Sequence, residues 1–128
     1  MKKILCLVLI VLFLFCGCGK QVEEDLGSFV KTKTESYDKE YTVSLNAYMK
    51  DEEQMTVLDI RRAGSDNIYT FIQCGKTSDF QGYCWENNSH NIWLQTADKG
   101  VTCYSLENGE WKENKNAQKP DYIITKGE

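Results

Sequence analysis

From Tyr41 onward the chain consists of short segments in which apolar and polar residues alternate, and this pattern constrains the fold more than any other feature. In the first segment the residues of one face are Tyr41, Val43, Leu45, Ala47 and Met49. A period of two is that of a β-strand with one buried face. The chain holds a single proline, so almost nothing blocks hydrogen bonding between strands. The sequence therefore predicts a mainly β fold, an antiparallel meander.

Turn chemistry separates the remaining segments, because Asn, Asp and Gly tolerate the positive φ that tight hairpins need. The predicted segments are residues 55–62, 68–74, 82–86, 92–97 and 101–106, followed by a short one that opens at Trp111. One N-terminal helix is an alternative for residues 22–37, and residues 122–125 are a candidate edge strand. A sheet must bury one face, so we expect this one to curl into a half-barrel or small barrel, or to pack on another layer.

The N-terminal residues have the pattern of an export signal. Lys2 and Lys3 are followed by an unbroken apolar run over residues 4–15. A membrane-spanning helix needs roughly 20 apolar residues, so the run is better explained as the hydrophobic region of a signal peptide. The sequence predicts a signal peptide over residues 1–17, with a plain secretory signal or an uncleaved anchor as the alternatives.

The end of the apolar run, residues 14–18 (LFCGC), resembles a bacterial lipobox. Gly17 takes the position of the small residue, and Cys18 takes that of the lipobox cysteine. Cleavage before Cys16 would put the bulky Phe15 at the small-residue position, so Cys18 is the stronger candidate. The resemblance implies a bacterial lipoprotein precursor, in which Cys18 receives a diacylglycerol thioether before the signal peptidase cuts ahead of it.

This processing divides the chain into three parts. We expect residues 1–17 to be removed, residues 18–27 to form a lipidated N-terminus and polar tether, and residues 28–128 to form a single antiparallel β domain. Each buried methylene of an acyl chain contributes about 0.8 kcal/mol, so two or three chains hold a protein on a membrane. We therefore expect the protein to be lipid-anchored on the extracytoplasmic face of the cell membrane.

The charge balance argues against nucleic acid as a partner. The chain has 15 basic and 19 acidic residues, and removal of Lys2 and Lys3 leaves 13 against 19. Binding to nucleic acid or to an anionic lipid surface needs clustered Lys and Arg. The membrane is therefore a partner only through the N-terminal lipid.

Three predicted segments each follow a polar turn, around residues 68–69, 92–93 and 110–111. Their spacing resembles that of the strands in the LolA-like superfamily of exported lipoprotein carriers. That resemblance implies a curled antiparallel sheet that cups a small hydrophobic ligand. The candidate ligand contacts are the aromatic residues Tyr83, Trp85, Trp93, Tyr104 and Trp111. The alternative is that they fill the core, since aromatic residues favour pleated surfaces in either role.

The three cysteines beyond the signal are Cys74, Cys84 and Cys103, in an exterior that favours disulfides. Cys74 and Cys84 are equally far from Asp79 in the sequence. A hairpin turn at Asp79 would therefore put them directly opposite each other, with Cα atoms roughly 4.5–5.5 Å apart, a distance that a disulfide can bridge. The predicted disulfide is Cys74–Cys84, with Cys103 a buried free thiol. The rival pairing, Cys84 with Cys103, would join non-adjacent strands.

Catalytic chemistry is not indicated. His90 is the only histidine and lies in an Asn-rich turn, and the cysteines lack the spacing of zinc knuckles. No phosphate-binding loop is present. We expect no enzyme activity, no cofactor and no metal. The sequence favours a lipoprotein whose β domain binds a small hydrophobic or amphipathic ligand at the cell envelope. The alternative is an interaction module of the surface or an envelope complex, with a filled core and no ligand.

Overall fold

The computed structural model describes residues 27–125. The predicted signal peptide, the lipidation site Cys18 and most of the tether lie outside the described residues. Within residues 27–125 the strands are β1 (Thr34–Glu35), β2 (Tyr41–Lys50), β3 (Glu53–Arg62), β4 (Ile68–Lys76), β5 (Phe80–Trp85), β6 (Ile92–Thr96), β7 (Gly100–Glu107) and β8 (Glu110–Glu113). They form two four-stranded antiparallel sheets, in the orders β1-β2-β3-β4 and β5-β6-β7-β8.

The predicted mainly β class and antiparallel meander are confirmed, but the described strands do not close into a barrel. Hydrogen bonding between strands stops between β4 and β5, because the residues that connect them bond to both sheets. The amide of Thr77 donates to the carbonyl of Gln54 in β3, and the carbonyl of Asp79 accepts from the amide of Ala97 after β6. The chain thus passes from one sheet to the other instead of forming a β4–β5 hairpin.

The main core contains buried side chains from both sheets. The first sheet contributes Tyr41, Val43, Leu58, Ile60, Ile72 and Cys74. The second contributes Phe80, Tyr83, Trp85, Ile92, Leu94 and Trp111. Burial of apolar area on this scale is the dominant favourable term in folding, at about 25 cal/mol per Å² removed from water.

A second, smaller cluster contains the alternate residues of the second sheet. Cys84, Trp93 and Cys103 lie side by side on adjacent strands and pack with Phe29 and Ile123 from the two ends of the described chain. Because one face of the second sheet packs in the main core and the other in this cluster, β6 is buried along its whole length. Such burial on both faces is why its sequence, IWLQT, lacks a clear alternation.

The described part of the candidate N-terminal helix, residues 27–37, contains no helix but two isolated bridges, bends and the short strand β1. Val30 exchanges both backbone hydrogen bonds with Tyr83, at 2.9 and 3.0 Å, and Thr34–Glu35 pairs with β2. These hydrogen bonds pair backbone amide and carbonyl groups that a helix would pair with one another. At the other end, residues 122–125 do not form the predicted edge strand but a single bridge, between Ile124 and Ser28.

Candidate functional site

A groove of about 690 Å³ lies between the N-terminal segment and the end of β5. Its walls are residues 27–39 on one side and residues 84–87 on the other. Its lining residues are Gly27, Ser28, Val30, Thr32, Lys33, Thr34, Glu35, Ser36, Tyr37, Lys39, Cys84, Trp85, Glu86 and Asn87. The surface is therefore mixed, with apolar contributions from Val30 and Trp85 and charges of both signs.

The path of the N-terminal segment accounts for this groove. The segment pairs with β5 at Val30 and Tyr83, and four residues later it joins the first sheet as β1. The buried hydroxyl of Tyr83 fixes the crossing, since it donates to the carbonyl of Thr32 at 2.6 Å and lies 2.7 Å from the hydroxyl of Thr34. Burial raises the pKa of Tyr83 to about 12, so the phenol stays protonated and can donate.

The five predicted ligand-contact aromatics are distributed over both clusters. Tyr83, Trp85 and Trp111 are buried in the main core, Trp93 is buried in the smaller cluster, and Tyr104 is half-buried. Trp85 alone among them lines the groove. The indole of Trp111 packs edge-on against Tyr41 and Trp85, with ring centroids 5.0 and 6.1 Å away. Four of the five rings therefore occupy positions away from the groove lining.

The predicted Cys74–Cys84 disulfide is wrong, since both cysteines are free. They do not lie opposite each other across a hairpin, because β4 and β5 belong to different sheets and do not pair. Cys74 lies in the main core and Cys84 in the smaller cluster, and the three cysteines of the described residues are free and buried. The rival disulfide, Cys84–Cys103, is also excluded. Trp93 on β6 lies between the two cysteines, so they are two strand spacings of about 4.8 Å apart, which is too far for a disulfide.

Burial sets the chemistry of these thiols. Desolvation raises the pKa of Cys74 and of Cys84 to about 12 and that of Cys103 to about 11. The thiolate is the nucleophile and the metal ligand, so a thiol with such a pKa is inert near neutral pH. The described cysteines therefore behave as small apolar core residues.

His90, in the Asn-rich turn, contacts two carboxylates. Its Nε2 lies 2.8 Å from Oδ2 of Asp38 and 3.9 Å from Oε2 of Glu40. Desolvation raises the pKa of Asp38, but hydrogen bonds from the Ser36 hydroxyl, the Glu40 amide and His90 outweigh it and lower that pKa to about 2. Asp38 is therefore ionised at neutral pH. Asp38 and His90 are 52 positions apart in the sequence, so no local pattern indicates that they are in contact.

Comparisons of the chain with models of known protein families, with curated proteins and with solved structures find no match. In residues 27–125 no helix has the length and apolar character needed to cross a membrane.

Proposed function

We propose that this chain is an exported lipoprotein, held on the extracytoplasmic face of the cell membrane by acyl chains on Cys18, and that its β domain is an interaction module with a filled core. The signal-like residues 1–17 and the lipobox-like residues 14–18 support the proposed export and membrane anchoring. With the lipid as anchor, the domain needs no membrane-binding surface of its own.

The observation that carries the module proposal is the burial of the aromatic residues. Tyr83, Trp93 and Trp111 are 0%, 3% and 6% exposed. The indole of Trp93 donates to the Glu86 carboxylate at 3.0 Å, and that of Trp111 donates to the carbonyl of His90 at 2.7 Å. Rings that are buried and hydrogen-bonded in this way are not free to contact a ligand.

The outer face of the first sheet offers a contact surface for a partner. Phe71 lies directly across from Asp59 and shares this face with Tyr48, and their side chains are 54% and 37% exposed. Exposed aromatic side chains are enriched in protein interfaces, where they act as anchors.

A photo-crosslinking amino acid at position 71 of the membrane-bound full chain tests the module proposal. We expect one discrete crosslinked product in intact cells, and none from the matched position 112, which is exposed on the second sheet. Equal products from both positions, or none from position 71, would argue against a partner on this face.

A second candidate function is the binding of a small amphipathic ligand, and the groove favours it. A volume of about 690 Å³ is within the range of small-molecule sites, and Val30 and Trp85 offer apolar surface beside Lys33 and Lys39. Mass spectrometry of material extracted from the purified full chain tests it. A bound compound that is lost in Ser28→Trp, which narrows the groove, supports this candidate; an empty extract counts against it.

A further inference from the structure

One nitrogen and two carboxylate oxygens converge where the two sheets meet. Asp38 and Glu40 come from the turn between β1 and β2, and His90 comes from the loop between β5 and β6. Their ligand atoms all lie within 4.8 Å of one another. Imidazole nitrogen and carboxylate oxygen are both ligands of Zn²⁺, at about 2.0–2.2 Å.

Contacts around this cluster fix two of the three side chains. The ring of His90 lies edge-on to Tyr41, with centroids 5.1 Å apart, and also packs against Tyr37. Oδ1 of Asp38 accepts hydrogen bonds from the Ser36 hydroxyl at 2.7 Å and from an amide at 3.1 Å, which leaves Oδ2 directed at the imidazole. Outer contacts of this kind orient metal ligands in known sites.

An ion pair accounts for only part of this geometry. A single imidazole nitrogen carries at most one N–H, and Asp38 at 2.8 Å is placed to receive it. Glu40 approaches the same nitrogen to 3.9 Å and brings a second negative charge to it. A divalent cation would neutralise both carboxylates and bind the lone pair of the nitrogen.

We propose that Asp38, Glu40 and His90 bind a divalent transition-metal ion, of which Zn²⁺ fits best. Ligands about 2.0–2.2 Å from a tetrahedral ion lie about 3.3–3.6 Å from one another. Nε2 of His90 lies 2.8 Å from Asp38 and 3.9 Å from Glu40, so a bound ion would move the Asp38 carboxylate away from the imidazole and bring the Glu40 carboxylate closer. The Glu40 side chain is 64% exposed and has room to adjust. Ca²⁺ and Mg²⁺ need more oxygen ligands than this cluster supplies, and imidazole favours Zn²⁺.

Such an ion would connect the first sheet to the second. Its three protein ligands would leave a fourth position for water or for a group of a partner, as in open zinc sites. Because the unfolded chain does not hold these side chains together, Zn²⁺ would stabilise the folded state, and this stabilisation would grow with the logarithm of the Zn²⁺ concentration above the Kd.

Calorimetric titration of the tag-free full chain in detergent with Zn²⁺ tests the proposal. We expect one ion per chain, and Glu40→Gln and His90→Gln to weaken the affinity by more than the roughly 10–100-fold that loss of an outer contact costs. Ser36→Ala, which removes a hydrogen bond to Asp38, should fall within that range. Glu110→Gln changes an exposed carboxylate outside the cluster and should match the wild type.

Glu40→Gln keeps the test decisive if His90→Gln fails to fold, because the Glu40 side chain is exposed. Co²⁺ gives a second readout, since a site of one nitrogen and two oxygens lacks the thiolate-to-cobalt charge-transfer band of a cysteine site. Absence of saturable Zn²⁺ binding by the folded wild type would overturn the proposal. So would equal affinities of wild type and Glu40→Gln, or a thiolate band with Co²⁺.

Discussion

The buried hydroxyl of Tyr83 donates a hydrogen bond to the backbone carbonyl of Thr32 at 2.6 Å and thereby connects β5 to the N-terminal segment. Tyr83→Phe leaves that carbonyl and the Thr34 hydroxyl without this partner. We expect it to lower the free energy of unfolding by about 1–3 kcal/mol. Urea denaturation measures the change, and Tyr48→Phe, at a more exposed tyrosine, is the control. Equal stability of the two variants would contradict the role given to Tyr83.

The same phenol makes stability depend on alkaline pH. Because burial raises the folded-state pKa of Tyr83 from 10.0 to about 12, its contribution is complete below pH 10 and is lost as the pH rises towards 12. Urea midpoints measured across this range should therefore fall less for Tyr83→Phe than for the wild type. Parallel curves would show that Tyr83 does not carry this dependence.

Gly109 ends the tight turn between β7 and β8 and lies against Tyr69. Its φ is +80°, and a Cβ there would lie 2.7 Å from the hydroxyl oxygen of Tyr69. Gly100 has a similar φ of +75° with nothing within 4 Å of such a Cβ. Gly100→Ala should therefore cost about 1–2 kcal/mol from backbone strain alone, and Gly109→Ala about 1 kcal/mol more from overpacking.

Thermal and urea denaturation of both glycine variants check this difference. Combining Gly109→Ala with Tyr69→Phe removes the clashing oxygen, so the double variant should recover most of the excess loss. If Gly109→Ala and Gly100→Ala lower the free energy of unfolding by the same amount, the contact with Tyr69 does not contribute to the loss.

Cys74, Cys84 and Cys103 should resist alkylation while the protein is folded. Their raised pKa values keep them protonated at neutral pH, and all three are buried. In the absence of a reductant, iodoacetamide should label these three cysteines only after the protein is denatured. Peptide mapping distinguishes them from the cysteines of the N-terminal residues. Recovery of a disulfide-linked peptide with Cys74 and Cys84 would contradict the two-sheet arrangement.

The sequence predicts the strands well where the residues of a turn determine how the chain reverses. The Asn108-Gly109 pair has positive φ at both residues, as a two-residue hairpin needs, and β7 and β8 flank it as predicted. Alternation located β2, yet the expected inward residue Met49 is 67% exposed. The β2–β3 hairpin extends past the core there, and the pattern alone does not show where the core ends.

The remaining features depend on long-range contacts that local patterns do not encode. The change of sheet after β4 rests on where the backbone groups of Thr77 and Asp79 find partners, so the symmetry of the cysteines about Asp79 suggested a hairpin that does not form. The meeting of Asp38 with His90 likewise requires the two sheets to be in place. Tertiary structure, and not spacing in the chain, creates both.

Mass spectrometry of the chain purified from membranes under native conditions tests the central claim most directly, because it reports the N-terminus, the covalent lipid and any bound molecule together. We predict a mature chain that begins at Cys18, carries a diacylglycerol thioether on that cysteine and retains no small organic molecule. A chain that begins elsewhere, or an unmodified Cys18, would contradict the lipoprotein assignment. A stoichiometric bound compound would contradict the filled interaction module.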